Sequence, residues 1–147
     1  MNQDLGRPPD ARDLLRKYDL RPKRSFSQNF LIQPGAIDQI ADAALEMGDQ
    51  LVELGPGLGA LTYALLKRGA TVLAVELDRD MVTVLENELG QVPHLTIRCA
   101  DAADVDLTAH SMACGSKLVV TGNLPYQATG AIIRRVVAEH AVLAGAV

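Results

Sequence analysis

Apolar positions along the chain change their period repeatedly, and each change marks an element. Residues 10–18 read as a short helix with Asp10 as its N-cap, because an aspartate at that point offers an oxygen to the first free N–H groups. Residues 19–33 show no period, and with Pro22 inside them and Pro34 just beyond they predict an extended arm. Pro34 suits the first turn of a helix whose apolar face is Ile37, Ile40, Ala41, Ala44 and Leu45, closed by Gly48. From there short apolar runs alternate with helical periods. Leu51–Leu54, Thr71–Val75, Leu95–Arg98 and Lys117–Thr121 read as strands. Residues 60–68, 79–89 and 129–140 read as helices, the first two closed by Gly69 and Gly90 and the third apolar at Ile132, Ile133, Val136 and Val137. Strands alternating with helices predict an α/β fold with a doubly wound parallel sheet. The pattern breaks off after about the fourth strand and its following helix.

With 147 residues, 48% of them hydrophobic, the chain is long enough for one domain with a real core and too apolar to be wholly disordered. Its apolar runs are too short to span a bilayer, and no basic-then-apolar leader opens it, so a cytoplasmic protein without membrane contact is expected. The net charge of −4 argues against a general nucleic-acid binder, but residues 1–24 hold seven of the fourteen basic residues against four acidic ones. A basic arm on an acidic body suits a phosphate-rich partner, and a solvated terminal helix of mixed charge has the same composition. Charge does not decide between them. Cys99 and Cys114 are too few and too far apart for a disulfide framework or a metal knuckle, which predicts reduced, partly buried thiols and no metal site.

The candidate chemistry lies where strands end. The first strand runs into Gly55-Pro56-Gly57-Leu58-Gly59, a G-x-G-x-G turn rather than the G-x-G-x-x-G of dinucleotide sites. Pro56 has no N–H to give a phosphate, so a nucleoside cofactor without phosphates fits this loop better. Glu76 ends the second strand, where a carboxylate can accept both hydroxyls of a ribose, while Asp78 suits the N-cap of the next helix. Asp101 follows the third strand and is placed to accept from an exocyclic amine of a bound base, with Asp104 and Asp106 further out in solvent. The fourth strand ends in Gly122-Asn123-Leu124-Pro125-Tyr126. There the Asn123 side-chain oxygen and the Leu124 carbonyl, directed by Pro125, can accept the two N–H bonds of a planar amine, and the Tyr126 ring offers a stacking face.

Together these features resemble a class I S-adenosylmethionine-dependent methyltransferase acting on adenine N6. Residues 24–31 (Arg-Ser-Phe-Ser-Gln-Asn-Phe-Leu) are similar to the K-x-F-G-Q-N-F-L arm of the small-subunit rRNA adenine N6,N6-dimethyltransferase family. V-E-L-G-P-G-L-G-A-L-T, A-V-E-L-D and G-N-L-P-Y extend the likeness from about residue 10 to the end. The resemblance implies a Rossmann-like methyltransferase sheet over residues 34–147, missing its last strands and its helical RNA-gripping lobe, behind a cofactor- and RNA-contacting arm over residues 1–33. By the same resemblance residues 141–147 are the approach to the family's fifth strand and its first residues, which would leave Leu118–Thr121 as an exposed edge. It also implies S-adenosylmethionine held by Asn29, Leu31, Gly55, Gly57, Glu76, Asp101 and Asn123. Asn123, Leu124, Pro125 and Tyr126 would form the clamp for the target adenine, and small-subunit rRNA would be the partner. Ser27 replaces the family's usual glycine, Gln33 its usual Asp or Asn, and residues 127–130 (Gln-Ala-Thr-Gly) its N-I-S-T/S-P. Two other readings stay open: a large-subunit rRNA methyltransferase of the macrolide-resistance type, whose clamp more often reads N-I-P-Y or N-I-P-F, and an inactive truncated fragment.

Overall fold

A computed structural model describes residues 4–21, 33–124 and 129–147. Among the described residues the strands are β1 (Gln50–Leu54), β2 (Thr71–Glu76), β3 (Leu95–Cys99), β4 (Leu118–Thr121) and β5 (Leu143–Ala146). They lie side by side as one parallel sheet in the order β3-β2-β1-β4-β5. β1, β2 and β4 are buried along nearly their whole length, as near-continuous apolar runs in a parallel sheet require, whereas β3 at one edge leaves Thr96, Arg98 and Cys99 exposed.

Among the described residues, helices α1 (Ala11–Lys17) and α2 (Pro34–Met47) precede the sheet, and α3 (Ala60–Lys67), α4 (Arg79–Leu89), α5 (Leu107–Cys114) and α6 (Thr129–Ala138) connect its strands. Alternate strand residues point to opposite faces, so each strand feeds two cores. Leu51, Val72, Ala74 and Val119 pack with Ala41 and Ala44 of α2, the α3 residues Leu61, Ala64 and Leu65, and Leu85 and Leu89 of α4. On the opposite face Val52, Leu54, Leu73, Val75, Leu118 and Val120 pack with Val105, Leu107 and Ile132, from the α5 and α6 side. The sheet is therefore covered on both faces, the doubly wound arrangement that the sequence predicts. A third cluster joins Leu14 of α1 to Leu58 of the glycine turn and to Met81 and Val84 of α4. Glu88 fastens the same helix, accepting from the Lys17 ammonium at 2.5 Å and the Tyr18 hydroxyl at 2.6 Å.

Two expectations change. The start of a fifth strand expected over residues 141–147 is a formed strand: β5 pairs in parallel with β4, so Leu118–Thr121 is an interior strand between β1 and β5, and β5 is the edge. Leu143-Ala-Gly-Ala carries few bulky residues, but backbone pairing needs none. Asp106 is exposed, as expected, and also caps α5 by accepting from the Ala109 N–H at 2.8 Å. Cys99 and Cys114, expected to be partly buried, are both exposed.

Candidate active site

The sheet order sets the predicted residues in a row. Asp101 follows β3, Glu76 ends β2, Gly55 to Gly59 follow β1, and Asn123 follows β4, so four adjacent strands present them in turn at one end of the sheet. Between β1 and β4 the chain order reverses, and ligands of open α/β sheets settle outside the carboxyl ends of strands at such a point. From β3 to β4 the row covers three inter-strand spacings, roughly 14 Å.

The glycine turn is built on left-handed backbone: Gly55, Gly57 and Gly59 have φ of 69°, 57° and 88°. Gly55 is still held by the sheet, its N–H donating to the Val75 carbonyl at 2.9 Å. Gly59 is the N-cap residue of α3, and a Cβ there would lie 2.7 Å from Leu85 Cδ2. Glu76 stands half-buried beside this turn, its Oε2 accepting from the Gly57 N–H at 2.9 Å and its Oε1 from the Asp78 N–H at 3.0 Å. Two backbone donors thus fix the carboxylate while its remaining lone pairs stay available to hydroxyl donors. Asp78 is buried and accepts from the Asp80 N–H at 2.9 Å, capping α4 as the sequence predicts.

Asp101 is exposed at the head of a 3-10 turn over Ala102–Asp104, with Oδ1 accepting from the Ala103 N–H at 2.9 Å. Beyond β4, Gly122 lies so close to β1 that a Cβ would fall 2.2 Å from the Leu54 carbonyl oxygen. Asn123 is exposed, and Leu124 packs against the core cluster of the α5–α6 face, anchoring the segment. Asn29 and Leu31 of the arm, with Pro125 and Tyr126 of the clamp, lie outside the described residues.

Sequence reasoning missed Glu53. It is a fully buried carboxyl on β1, accepting from the Thr62 hydroxyl at 2.5 Å. Burial pushes it up to about 7; the Thr62 bond opposes the shift, and the Glu76 charge adds to it. Its partner across β1–β4 is Thr121, whose hydroxyl is the one buried side-chain oxygen or nitrogen among the described residues without a hydrogen-bond partner. A lone acid inside an otherwise apolar Leu-Val-Glu-Leu strand was the available signal. An orphaned hydroxyl at the switch point, a carboxylate oriented by two amides and a turn stripped of Cβ atoms suit a nucleoside with a short polar extension. A separate cavity of about 550 Å³ lies between residues 5–14 and helices α2, α3 and α4; Gly59 lines it, but Gly55, Glu76, Asp101 and Asn123 do not. Among the described residues no His, Cys, Asp and Glu side chains gather in threes as a metal would need, and no helix is long and apolar enough to cross a membrane.

Comparison with known proteins bears on the family and the fold. The chain is 45% identical over 150 residues to the ribosomal RNA small subunit methyltransferase A of Anaeromyxobacter dehalogenans, covering 96% of this chain and 52% of that protein. The chain thus spans about half the length of the curated relatives it matches. Among solved structures, a dimethyladenosine transferase from Plasmodium falciparum superposes with a TM-score of 0.62 at 27% identity, over 78% of this chain and 40% of that one. The 23S rRNA methyltransferase ErmE superposes with a TM-score of 0.61 at 29% identity, over 72% of this chain and 41% of that one. The sheet is that of a class I methyltransferase. Residues 20–147 match the model of the ribosomal RNA adenine dimethylases, and the chain belongs to that family.

Proposed function

We propose that this chain is the cofactor-binding part of an S-adenosylmethionine-dependent methyltransferase that modifies adenine N6 in small-subunit rRNA in the cytoplasm. The observation that carries the reading is the row of Asp101, Glu76, the glycine turn and Asn123 along four adjacent strand ends. Asp101 would accept from the exocyclic amine of the cofactor's base and Glu76 from its ribose hydroxyls, while Gly55 and Gly57 let the backbone approach. From the arm, residues 1–33, Asn29 and Leu31 would add cofactor contacts by the family likeness.

S-adenosylmethionine, when bound, supplies an electrophilic methyl group. The protein's share is positioning, the main source of rate in a displacement that needs no covalent enzyme intermediate. Asn123 and the Leu124 carbonyl hold the two amine hydrogens and so turn the lone pair of the target nitrogen toward the cofactor. In the family's clamp, which this stretch resembles, Pro125 would direct that carbonyl and Tyr126 would offer a stacking face to the base. No general base need act before the transition state, because the amine becomes acidic only as it is alkylated. An unpaired loop adenine suits the clamp, since it is cheap to flip out.

The name of the Anaeromyxobacter relative favours the small-subunit substrate, and the likeness to ErmE makes large-subunit rRNA the control. Calorimetric titration with S-adenosylhomocysteine and with NAD tests the cofactor; binding of NAD alone would sink the reading. Methylation of unmodified small-subunit rRNA, against large-subunit rRNA, by this chain continued with the second half of its relative tests the substrate. Asn123→Ala in that context should abolish transfer while cofactor affinity stays within about threefold; near-normal turnover would end the clamp reading.

A further inference from the structure

Arg135 reaches from α6 to the turn that carries Asp101. Its Nε donates to the Ala103 carbonyl at 2.6 Å, and the N–H of the same Ala103 donates to Asp101 Oδ1 at 2.9 Å. Its Nη1 lies 3.1 Å from Glu139 Oε2, while Glu139 Oε1 accepts from the Thr108 N–H at 3.0 Å and the Thr108 hydroxyl at 2.9 Å. One guanidinium therefore ties together α6, the Ala102–Asp104 turn and, through Glu139, the start of α5. Burial alone would raise the Glu139 carboxyl, but its bonds from Thr108 and Arg135 hold it below the usual carboxylate range, so the link stays charged at neutral pH.

The packing beneath follows the same route. Ile132 and Val136 of α6 share a cluster with Ala102, Val105 and Leu107 from the Asp101 side, and with Leu124 from the Asn123 side. Helix α6 starts at Thr129, three positions after Tyr126. The element fixed by Arg135 therefore packs over the Asp101 side of the sheet end, with Leu124 in the same cluster. A fork-shaped cation is needed, because Nε and Nη1 serve two acceptors at once and a lysine ammonium on a flexible stem does not reproduce that geometry.

We infer that Arg135 is a positioning residue that locks the Asp101 turn to α6, so that reading of the cofactor's base rests on a contact made outside the site. This builds on the proposed role of Asp101 toward the base. A surface staple without that role would change thermal stability but not the choice between bases.

The test is calorimetric titration of the chain with S-adenosylhomocysteine and with S-inosylhomocysteine, in which an oxo group replaces the exocyclic amine. The unmodified chain and Asp101→Ala define the preference that Asp101 creates. Arg135→Gln should lower the preference for the adenine ligand about threefold to tenfold, through weaker binding of that ligand, and should add little to Asp101→Ala in the double variant. Arg135→Lys should move in the same direction. If Arg135→Gln does not fold, Arg135→Lys and Glu139→Gln are judged by the same criterion. An unchanged preference in the Arg135 variants, with the preference reduced by Asp101→Ala, would overturn the inference and leave the site reading intact. An unchanged preference in Asp101→Ala, or no binding of either ligand by the unmodified chain, would remove the site reading and the inference with it.

Discussion

The Gly57 N–H donates to Glu76 Oε2 at 2.9 Å, so the turn after β1 and the end of β2 are held by one carboxylate. The bond needs Gly57 in its left-handed conformation, φ 57°, and it leaves Glu76 already oriented before any ligand arrives. Glu76→Ala removes both the acceptor for hydroxyls and the tether on the turn. It should weaken S-adenosylhomocysteine binding by about 1–3 kcal/mol, the scale of hydrogen bonds to a charged group. The core beneath does not depend on it, so titration calorimetry should show the loss while the thermal midpoint stays nearly unchanged.

Glu53 makes stability depend on pH in the sense opposite to ordinary acid denaturation. Burial raises its carboxyl from 4.5 to about 7, so the folded state holds this proton more tightly than the unfolded chain. Its contribution to stability is complete below about pH 4.5, falls as the pH rises through 7, and is flat above. Glu88, held low by Lys17 and Tyr18, and Glu139 act the other way, but below the ordinary carboxylate value. Glu53→Gln keeps an acceptor for Thr62 and carries no charge. It should remove the loss between about pH 5 and pH 8, on the order of 2–3 kcal/mol. Urea unfolding at both pH values reads this directly; an unchanged slope would show that the carboxyl ionises without cost.

How much of this was legible in the sequence follows from what each feature depends on. β1, β2 and β4 announced themselves because strands buried on both faces are continuous apolar runs, and Asp10 and Asp78 were readable as caps because capping is local. Helix α5 was hidden: Leu107 and Ser111 are its buried residues, one turn apart, and exposed Met112 blurs the period. The row of Asp101, Glu76 and Asn123 needed only the assumption of a doubly wound sheet. The pairing of Glu53 with Thr62 and Thr121, and the reach of Arg135 to Ala103 across 32 positions, depend on register and on contacts between elements, which no local pattern encodes.

Gly122 is fixed by its neighbour rather than by its own conformation. An added Cβ would sit 2.2 Å from the Leu54 carbonyl oxygen, a backbone atom within the central strand pair that cannot swing aside. Gly122→Ala should cost more than about 2 kcal/mol and displace the Asn123 segment. Gly35, in the first turn of α2 with nothing within 4 Å of its Cβ position, is the matched control. Gly35→Ala should stabilise by about 0.5–1 kcal/mol. Denaturant midpoints of the two variants should therefore move in opposite directions.

The apolar stripe of α6 is divided by the structure. Ile132 is 2% exposed and Val136 half-buried, whereas Ile133 and Val137 are 53% and 64% exposed and stand one turn apart on the outer side. Two β-branched side chains in adjacent turns of an exposed helix invite self-association. Glu at 133 and Lys at 137 would be an i,i+4 pair in the favourable order, worth a few tenths of a kcal/mol. Ile133→Glu with Val137→Lys should therefore raise the soluble, monomeric fraction in light scattering and leave the unfolding midpoint within the equivalent of about 0.5 kcal/mol. Ile132→Ala, one position away, should cost about 2–4 kcal/mol because it empties the core under the Asp101 turn. Comparable losses from both changes would mean that Ile133 and Val137 are packed, and the division of this helix into an inner and an outer side would not stand.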